Sequence, residues 1–291
     1  MRESTRLPSS LATWAESVLG PLNCVRDTSH ARDKSQVWRV TGPARDHYVK
    51  VAPEPTLHTR ETCAYRVAVA HLGHANAPVV RDSSAGLLAL LLTVDGGEPL
   101  KEEESPARRR VAHRQAGQLL HRFHDAMTGP LVQPEATGVV DNTVAGLDKH
   151  LAEAGDHLSA TEADTLRRLV SALPGCGPLP AAWRHGDFRG RNLLWNGRRR
   201  ALIDFERSEP GPLVTDFVEL VTSLWPDHPE LRTAQFEGYG RPLSEKEERA
   251  LTAFAAADAA SALAHGPLHG DPLLTARGRR TVECLMQEGR L

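Results

Sequence analysis

The order of the predicted elements indicates an α+β fold with two lobes, a small β-rich N-terminal lobe and a larger, mainly helical C-terminal lobe. Three observations support this fold class. Strand-like segments crowd the first third of the chain, a Gly-Gly pair follows them at residues 96–97, and amphipathic helical patterns fill most of the remainder. We interpret the glycine pair as a hinge. Taken alone, these patterns fit either a bilobal enzyme with a cleft or two unrelated domains.

The N-terminal lobe is predicted to contain a β-hairpin, one helix and one buried strand. Residues 35–40 (SQVWRV) and 47–52 (HYVKVA) alternate loosely and flank the turn-forming segment TGPARD. Apolar residues at helical spacing then predict a helix in PTLHTRETCAYRVAVAHLG, with Gly73 as its stop. A turn is predicted at residues 82–84, before the apolar strand 85–94 (AGLLALLLTV).

The C-terminal lobe is predicted to be helical with one short β insertion near residues 183–206. Ser105 and Pro106 form a helix start, and the segment after them carries an apolar stripe. This helix holds His121 and His124 three residues apart. We expect His124 to be packed in the core and His121 to face solvent, rather than the two to form a metal pair. Further helices are predicted at residues 144–157, at residues 161–173 and in most of the chain after residue 211.

Composition and charge exclude several functional classes. The 291 residues carry a formal net charge of -2, which is too balanced for the basic surface of a nucleic-acid-binding protein. The longest apolar run is about half the length of a membrane-spanning helix, and the first twenty residues lack the apolar core of a signal peptide. The four cysteines are scattered, without a Cys-x-x-Cys pair. We therefore expect a cytoplasmic protein that binds neither membrane nor nucleic acid.

The segment WRHGDFRGRNLLWNGRRRALIDFE, residues 183–206, concentrates polar chemistry in a short span. Asp187 lies five residues before Asn192 in a glycine-containing loop, and a predicted strand ends at Asp204. A hairpin through WNGRRR would bring that strand back beside the loop, so that the three side chains converge. Two carboxylates and an amide oxygen are hard ligands that suit Mg²⁺ rather than zinc or copper. Mg²⁺ fills its remaining positions with water and substrate phosphates, as a phosphoryl-transfer site requires.

Several motifs together resemble those of one known family. HGDFRGRN (residues 185–192) followed by IDFE (residues 203–206) is similar to the catalytic-loop and metal-strand motifs of the aminoglycoside phosphotransferase (APH)-like small-molecule kinases, which have a protein-kinase-like fold. YVKVA, HTRETCAYR, LLHRFHDA and LVTDFVEL resemble further motifs of this family, in the expected order. The resemblance implies a nucleotide-binding lobe at residues 1–95. It implies a helical lobe at residues 96–291 with the catalytic loop, the metal site and the acceptor pocket.

The resemblance also implies how the nucleotide is bound in a cleft between the lobes. Lys50 would hold the ATP phosphates, and Glu61 on the following helix would form an ion pair with it. The adenine is expected against backbone groups near Leu92 and Val94. The phosphate-covering segment VRDTSHARDKSQVW lacks the glycines of protein kinases, so Ser29, Ser35 or backbone N–H groups would have to contact phosphate instead. GTP is not excluded as the donor.

The remaining residue roles follow from the same resemblance. Asp187 would accept or orient the proton of the substrate hydroxyl, and Arg189 would neutralise charge on the moving phosphoryl group. Asn192 and Asp204 would hold Mg²⁺. The other implied roles are support of the catalytic loop by His185 and Asp216 and contact with the acceptor by Glu206 and Asp258.

The resemblance implies an ATP-dependent O-phosphotransferase whose acceptor is a hydroxyl of a small molecule. The commonest role in the family is antibiotic inactivation, in resistance or self-resistance, with aminoglycosides, nucleosides and peptides as candidate classes. The arginines of residues 189–200 favour a neutral or weakly charged acceptor over a polycation. The alternatives are a metabolic kinase for an amino alcohol, a sugar or a nucleoside, and a nucleotide-binding scaffold without the reaction. We expect a monomer or a homodimer.

Overall fold

The structure is a computed structural model that describes residues 7–29, 35–93, 97–99, 105–127, 133–196 and 200–288, without the side chains of residues 133–136 and 288. The chain has the predicted α+β fold, with a β-sheet in the N-terminal part and helices in most of the rest. It divides into two compact units. The first unit comprises residues 1–100 and 190–209, and the second comprises residues 101–189 and 210–291.

The first unit is built on a five-stranded antiparallel sheet in the order β1-β2-β3-β5-β4. Its strands are β1 (Cys24–Asp27), β2 (Gln36–Thr41), β3 (Asp46–Val51), β4 (Val80–Ser84) and β5 (Ala89–Thr93), and its helices are α1 (Ser9–Leu19) and α2 (Pro55–Val67). Apolar residues of α1 pack against β2, β3 and β5 to form the core of the unit. A second, three-stranded sheet joins β6 (Glu98–Pro99), β8 (Leu193–Trp195) and β9 (Arg200–Leu202). The segment with Asn192 and Asp204 therefore belongs to the first unit.

The predicted hairpin is present, because β2 and β3 pair along their whole length. The predicted turn at residues 82–84 is wrong: these residues end β4, and the turn lies at residues 85–88. Leu88 has a left-handed φ of 51° there, and the backbone N–H of Leu87 donates to Ser84 Oγ at 3.3 Å. The apolar run is longer than one strand needs, so its first four residues form the turn and residues 89–93 form β5. The stop at Gly73 is correct, since a 3-10 helix ends just before it.

The second unit is mainly helical. Its elements are α3 (Pro106–Asp125), α4 (Gln133–Ala154), α5 (Ala160–Ser171), β7 (Ala181–Arg184), β10 (Glu209–Pro212, which begins at the last residue of the first unit), α6 (Pro229–Tyr239), α7 (Glu245–Leu268) and α8 (Pro272–Glu288). Ser105 caps α3 as predicted, and α4 begins well before the predicted residue 144. Buried residues of α4, α5, α7 and α8 form its core. None of the described helices combines the length and apolarity needed to cross a bilayer.

Helices α3 and α6 approach each other closely at two glycines. A Cβ on Gly117 would overlap the carbonyl oxygen of Gln235 and lie 2.7 Å from the backbone nitrogen of Tyr239. A Cβ on Gly238 would overlap the carbonyl oxygen of Arg114. Because backbone atoms cannot move aside as a flexible side chain can, only glycine permits this crossing.

We therefore expect Gly117→Ala to lower the free energy of unfolding by about 1–3 kcal/mol or more, the cost of overpacking a close contact. Urea denaturation measures this change. Gly146→Ala is the matched control, because nothing lies within 4 Å of the added Cβ on this α4 residue. The control is expected to stabilise the helix by roughly 0.5–1 kcal/mol. Equal effects of the two substitutions would contradict the close crossing.

Candidate active site

Lys50 lies near the end of the central strand β3, with its ammonium group enclosed by three carboxylates. Its Nζ is 2.9 Å from Glu61 Oε2, 2.6 Å from Asp204 Oδ1 and 3.3 Å from Glu206 Oε2. The lysine side chain is only 9% exposed and that of Glu61 only 1%. The ion pair with Glu61, which the sequence predicts, is therefore present and buried within the first unit.

The charges around this lysine shift the ionisation of both partners. Burial on its own would lower the pKa of Lys50, but Glu61, Asp204 and Glu206 hold that pKa well above its ordinary value. The pKa of Glu61 is raised from 4.5 to about 7, because burial, together with the charges of Asp204 and Glu206, outweighs the opposing effect of Lys50. Lys50 is thus a fixed positive charge at neutral pH. The three carboxylates beside it can carry more negative charge than one ammonium group neutralises.

Asp204 follows β9 with a left-handed φ of 67°, a conformation that costs a non-glycine residue free energy and is enriched at functional sites. The N–H of Ile203 donates to the carbonyl of Asn192 at 3.0 Å, which ties the two predicted metal residues into one local fold. Asn192 is 3% exposed. An amide oxygen and a carboxylate are hard donors, and the excess of negative charge around Lys50 is what a divalent cation would neutralise. The residues present therefore fit Mg²⁺.

Ser35 and Leu92, which are also predicted to bind the nucleotide, lie in the same unit. Ser35 is buried, and its hydroxyl donates to Glu206 Oε2 at 2.5 Å. Glu206 therefore lies beside Lys50 and Ser35, and its contact with an acceptor stays a prediction. Leu92 is buried on β5 next to β3. Val94 lies outside the residues that the structure describes.

The start of the predicted catalytic loop, at His185 and Gly186, is held by the buried carboxylate of Asp216. The backbone N–H groups of His185 and Gly186 donate to Asp216 Oδ2 and Oδ1 at 2.7 and 2.8 Å. His124 donates to Oδ2 from Nε2 at 3.0 Å and accepts from the Tyr239 hydroxyl at 2.8 Å. Burial alone would raise the pKa of Asp216, but the interactions with His124 and His185 lower it instead. His124 is thus a packed structural residue as expected, whereas His121 is 45% exposed.

The loop carries Asp187 into a buried position beside Arg189. Gly186 supplies the left-handed φ of 79° that the bend requires, and the N–H of Asp187 donates to His185 Nδ1 at 3.2 Å. Arg189 Nε lies 2.6 Å from Asp187 Oδ1. The predicted catalytic pair is therefore in direct contact. Backbone hydrogen bonds to Asp216 hold the start of this loop at His185 and Gly186.

A chain of ion pairs that the sequence analysis missed continues from Arg189. Its guanidinium is 3.8 Å from Glu219 Oε2, and Arg277 on α8 pairs with Glu219 at 2.7 Å and with Asp258 at 2.9 Å. Asp258, predicted to contact the acceptor, is thus occupied by Arg277. The sequence signals were weak: Glu219 lies three residues after Asp216, and ARGRR at residues 276–280 matches an ordinary charged helix face.

The fold is shared with solved phosphotransferases and kinases. Macrolide 2'-phosphotransferase MphH from Brachybacterium faecium has a TM-score of 0.61 at 16% identity, with 96% of this chain and 97% of that chain covered. A choline/ethanolamine kinase family protein from Mesorhizobium loti has a TM-score of 0.63 at 17% identity, with 96% of this chain and 94% of that chain covered. A thermostable mutant of aminoglycoside phosphotransferase APH(4)-Ia, in complex with ADP and hygromycin B, has a TM-score of 0.66 at 14% identity, with 94% of this chain and 98% of that chain covered. At these identities the likeness establishes the fold.

A sequence match establishes the family. No curated protein matches this chain. The family profile described as "Phosphotransferase enzyme family" (APH) matches residues 28–254, well over half of the chain. The matched span includes every predicted site residue except Asp258. The chain therefore belongs to the APH phosphotransferase enzyme family, with a protein-kinase-like fold.

Proposed function

We propose that this protein transfers the γ-phosphate of ATP to a hydroxyl of a small molecule, with Mg²⁺ as the cofactor. The observation that supports this function most strongly is the buried ammonium of Lys50 among Glu61, Asp204 and Glu206, in a member of a phosphotransferase family. A fixed ammonium suits phosphate oxygens, and the surplus carboxylates suit a divalent cation. We also propose that the reaction takes place in the cytoplasm, where ATP is available.

In the proposed reaction, a few residues bind the nucleotide, hold the metal ion and accept the proton. Lys50, fixed by Glu61, binds phosphate oxygens of ATP. Bound Mg²⁺, held by Asn192 and Asp204, would supply neutralisation of phosphate charge. Asp187 orients the acceptor hydroxyl and takes its proton as the new oxygen–phosphorus bond forms and the bond from that phosphorus to ADP breaks.

Arg189 has a second part in this reaction. Its planar guanidinium suits phosphate oxygens, and it balances the charge that develops on the transferred group. Its contact with Asp187 at 2.6 Å orients that carboxylate toward the acceptor hydroxyl in the proposed reaction. In the proposed reaction, Arg189 therefore contacts both Asp187, the proton acceptor, and the transferred phosphoryl group.

A nucleotide-binding scaffold without the reaction is the rival from another class. We expect ATP with Mg²⁺ to stabilise the protein by about 2.7 kcal/mol when the free nucleotide is a hundred times its Kd. Thermal denaturation with ATP, with GTP and with ATP plus chelator measures this effect and the donor preference. Stabilisation without turnover on any acceptor would favour the scaffold. No stabilisation at millimolar ATP and Mg²⁺ would contradict the proposed nucleotide site.

The ion pairs around Asp258 favour an acceptor with little positive charge. An ammonium-rich acceptor needs carboxylates that can pair with it, but Glu219 and Asp258 already share Arg277. Displacing a guanidinium held by two carboxylates would cost affinity. We therefore propose an antibiotic with few cationic groups, such as a nucleoside, peptide or macrolide class compound, as the acceptor.

The second candidate is a metabolic kinase that acts on an amino alcohol. The likeness to the choline/ethanolamine kinase family protein from Mesorhizobium loti, with a TM-score of 0.63, supports it. The two candidates share the catalytic residues and differ in the acceptor. A panel of antibiotics, amino alcohols, sugars and nucleosides, each incubated with ATP and Mg²⁺ and assayed by mass for one added phosphate, separates them. Modification of amino alcohols alone would overturn the antibiotic assignment.

Replacing Arg277 tests the acceptor class directly. We expect Arg277→Met to free Glu219 and Asp258, so that kcat/KM for cationic acceptors rises about tenfold relative to neutral ones, the equivalent of about 1.4 kcal/mol. Competition assays with paired neutral and cationic acceptors give this ratio. Arg280→Met is the control on the same helix, because Arg280 pairs with the exposed Asp227 instead. An unchanged ratio in a folded Arg277→Met protein would contradict the charge argument.

A further inference from the structure

We propose that the second unit binds a zinc-class divalent metal ion between α4 and α7, at His150, Glu153 and His265. Each of these residues offers one ligand atom, and the three atoms lie within 4.8 Å of one another. His150 and Glu153 lie one turn apart near the end of α4, and His265 lies in the last turn of α7. None of the three takes part in the phosphotransfer reaction proposed above.

The imidazole of His265 is oriented as a metal ligand should be. Its Nδ1 lies 2.9 Å from the carbonyl oxygen of Ser261, one turn earlier on α7. A carbonyl only accepts, so Nδ1 carries the proton and Nε2 keeps its lone pair. Metal-binding histidines characteristically donate their second ring nitrogen to a carbonyl or carboxylate in this way, which fixes the tautomer and the ring orientation.

His150 supplies a second, independent indication. Its Nδ1 is inaccessible to solvent and has no hydrogen-bond partner among the described residues. Glu153 Oε2 lies 3.7 Å from this nitrogen and Lys149 Nζ lies 3.7 Å from Glu153 Oε1, both longer than hydrogen bonds. An unpaired buried nitrogen is costly, and a metal ion would satisfy it. The rings of His150 and His265 are 5.3 Å apart at 64°, so both can approach one ion.

The donor set determines which ion fits. Two imidazoles and one carboxylate suit Zn²⁺ and similar transition metals, whereas the amide and carboxylate oxygens of Asn192 and Asp204 suit Mg²⁺. Zinc ligands at about 2.0–2.2 Å from the ion lie roughly 3.4 Å apart in a tetrahedron. Small rotations of these partly exposed side chains would close the remaining gap. Water would complete the coordination, and the ion would fasten the end of α4 to the end of α7.

Cobalt titration tests this site without relying on activity. The full chain is titrated with Co²⁺ in excess Mg²⁺, which occupies the hard-oxygen site, and visible absorption of the bound cobalt is recorded. We expect saturable binding, displacement by Zn²⁺, and a rise in the thermal midpoint with either ion. His265→Ala and His150→Ala are each expected to weaken Co²⁺ binding about tenfold or more. The control His74→Ala, an exposed histidine of the first unit, should bind as the unaltered protein does.

Three results would overturn the proposal. The first is the absence of cobalt absorption at millimolar Co²⁺. The second is undiminished binding in both folded histidine variants. The third is a thiolate-to-cobalt charge-transfer band in the near ultraviolet, which would assign the ion to one of the free cysteines. Turnover with Mg²⁺ and ATP is expected to persist in both histidine variants, so failure of this site is distinguishable from failure of the proposed function.

Discussion

Asp187→Asn is expected to reduce the rate of phosphoryl transfer by about 10²–10⁴-fold, the range typical for loss of a positioned acid or base. Asparagine has nearly the same size but cannot take the hydroxyl proton. The loop should keep its conformation, because Asp216 holds the backbone N–H groups of His185 and Gly186 independently of the Asp187 carboxylate. ATP affinity is therefore expected to stay close to that of the unaltered protein. Steady-state turnover and calorimetric ATP binding measure the two quantities separately.

Asp164→Asn is the matched control for this substitution. Asp164 is an exposed carboxylate of the same unit that pairs with Arg167 on α5. It should change neither turnover nor ATP binding. Retained turnover in Asp187→Asn would remove Asp187 from its proposed role. Loss of ATP binding in the same variant would instead show that Arg189, deprived of its partner at 2.6 Å, had disturbed the site.

The features that the sequence predicts best are those set by short-range pattern. Lys50 and Glu61 are eleven residues apart, and a hairpin strand followed by a helix brings them together without help from the rest of the chain. The cap of α3 at Ser105 and the stop at Gly73 are equally local. Local chemistry also explains the error at residues 82–84. Asp and two serines are frequent in turns, but pairing with β5 keeps them in a strand.

The features that could not be predicted depend on long-range packing. Ser35 and Glu206 are 171 residues apart in the chain, and no periodicity links them. The pairing of Arg277 with Glu219 and Asp258 depends on where α8 and α7 settle in the core of the second unit. An arginine-rich helix face looks the same in sequence whether it faces solvent or pairs with partly buried carboxylates of other helices. Its partners are decided only when the helices are packed.

The crowding of carboxylates around Lys50 explains a conflict between stability and function in the first unit. Asp204 and Glu206 both raise the pKa of Glu61, so they oppose its ionised form. Without a divalent cation, the folded protein must hold these negative charges close together. We therefore expect these carboxylates to lower the free energy of unfolding of the nucleotide-free protein. The same arrangement becomes favourable when a divalent cation binds together with the nucleotide.

Asp204→Asn is therefore expected to act in opposite directions on binding and on stability. Loss of the carboxylate should weaken Mg²⁺-dependent ATP affinity about tenfold or more, since Asn192 alone would remain of the predicted metal pair. Asparagine tolerates the left-handed φ of 67°, so the backbone should be unaffected. Calorimetry of ATP binding with and without Mg²⁺ measures the loss. Asp46→Asn, which alters a partly exposed carboxylate of the same unit that pairs with Arg39, is the control.

We expect the nucleotide-free Asp204→Asn protein to have a higher free energy of unfolding than the unaltered protein, but only at pH values at which Glu61 is ionised. The pKa of Glu61 is about 7 in the folded chain against an ordinary 4.5, so its contribution to stability is fully present below pH 4.5 and is lost as pH rises through 7. Removing the Asp204 carboxylate lowers the pKa of Glu61 and so restores part of the stability that is lost at high pH. Thermal denaturation in chelator should thus show a gain above pH 7 that disappears toward pH 4.5. A loss of stability above pH 7 would mean that Asp204 stabilises Lys50 more than it repels Glu61.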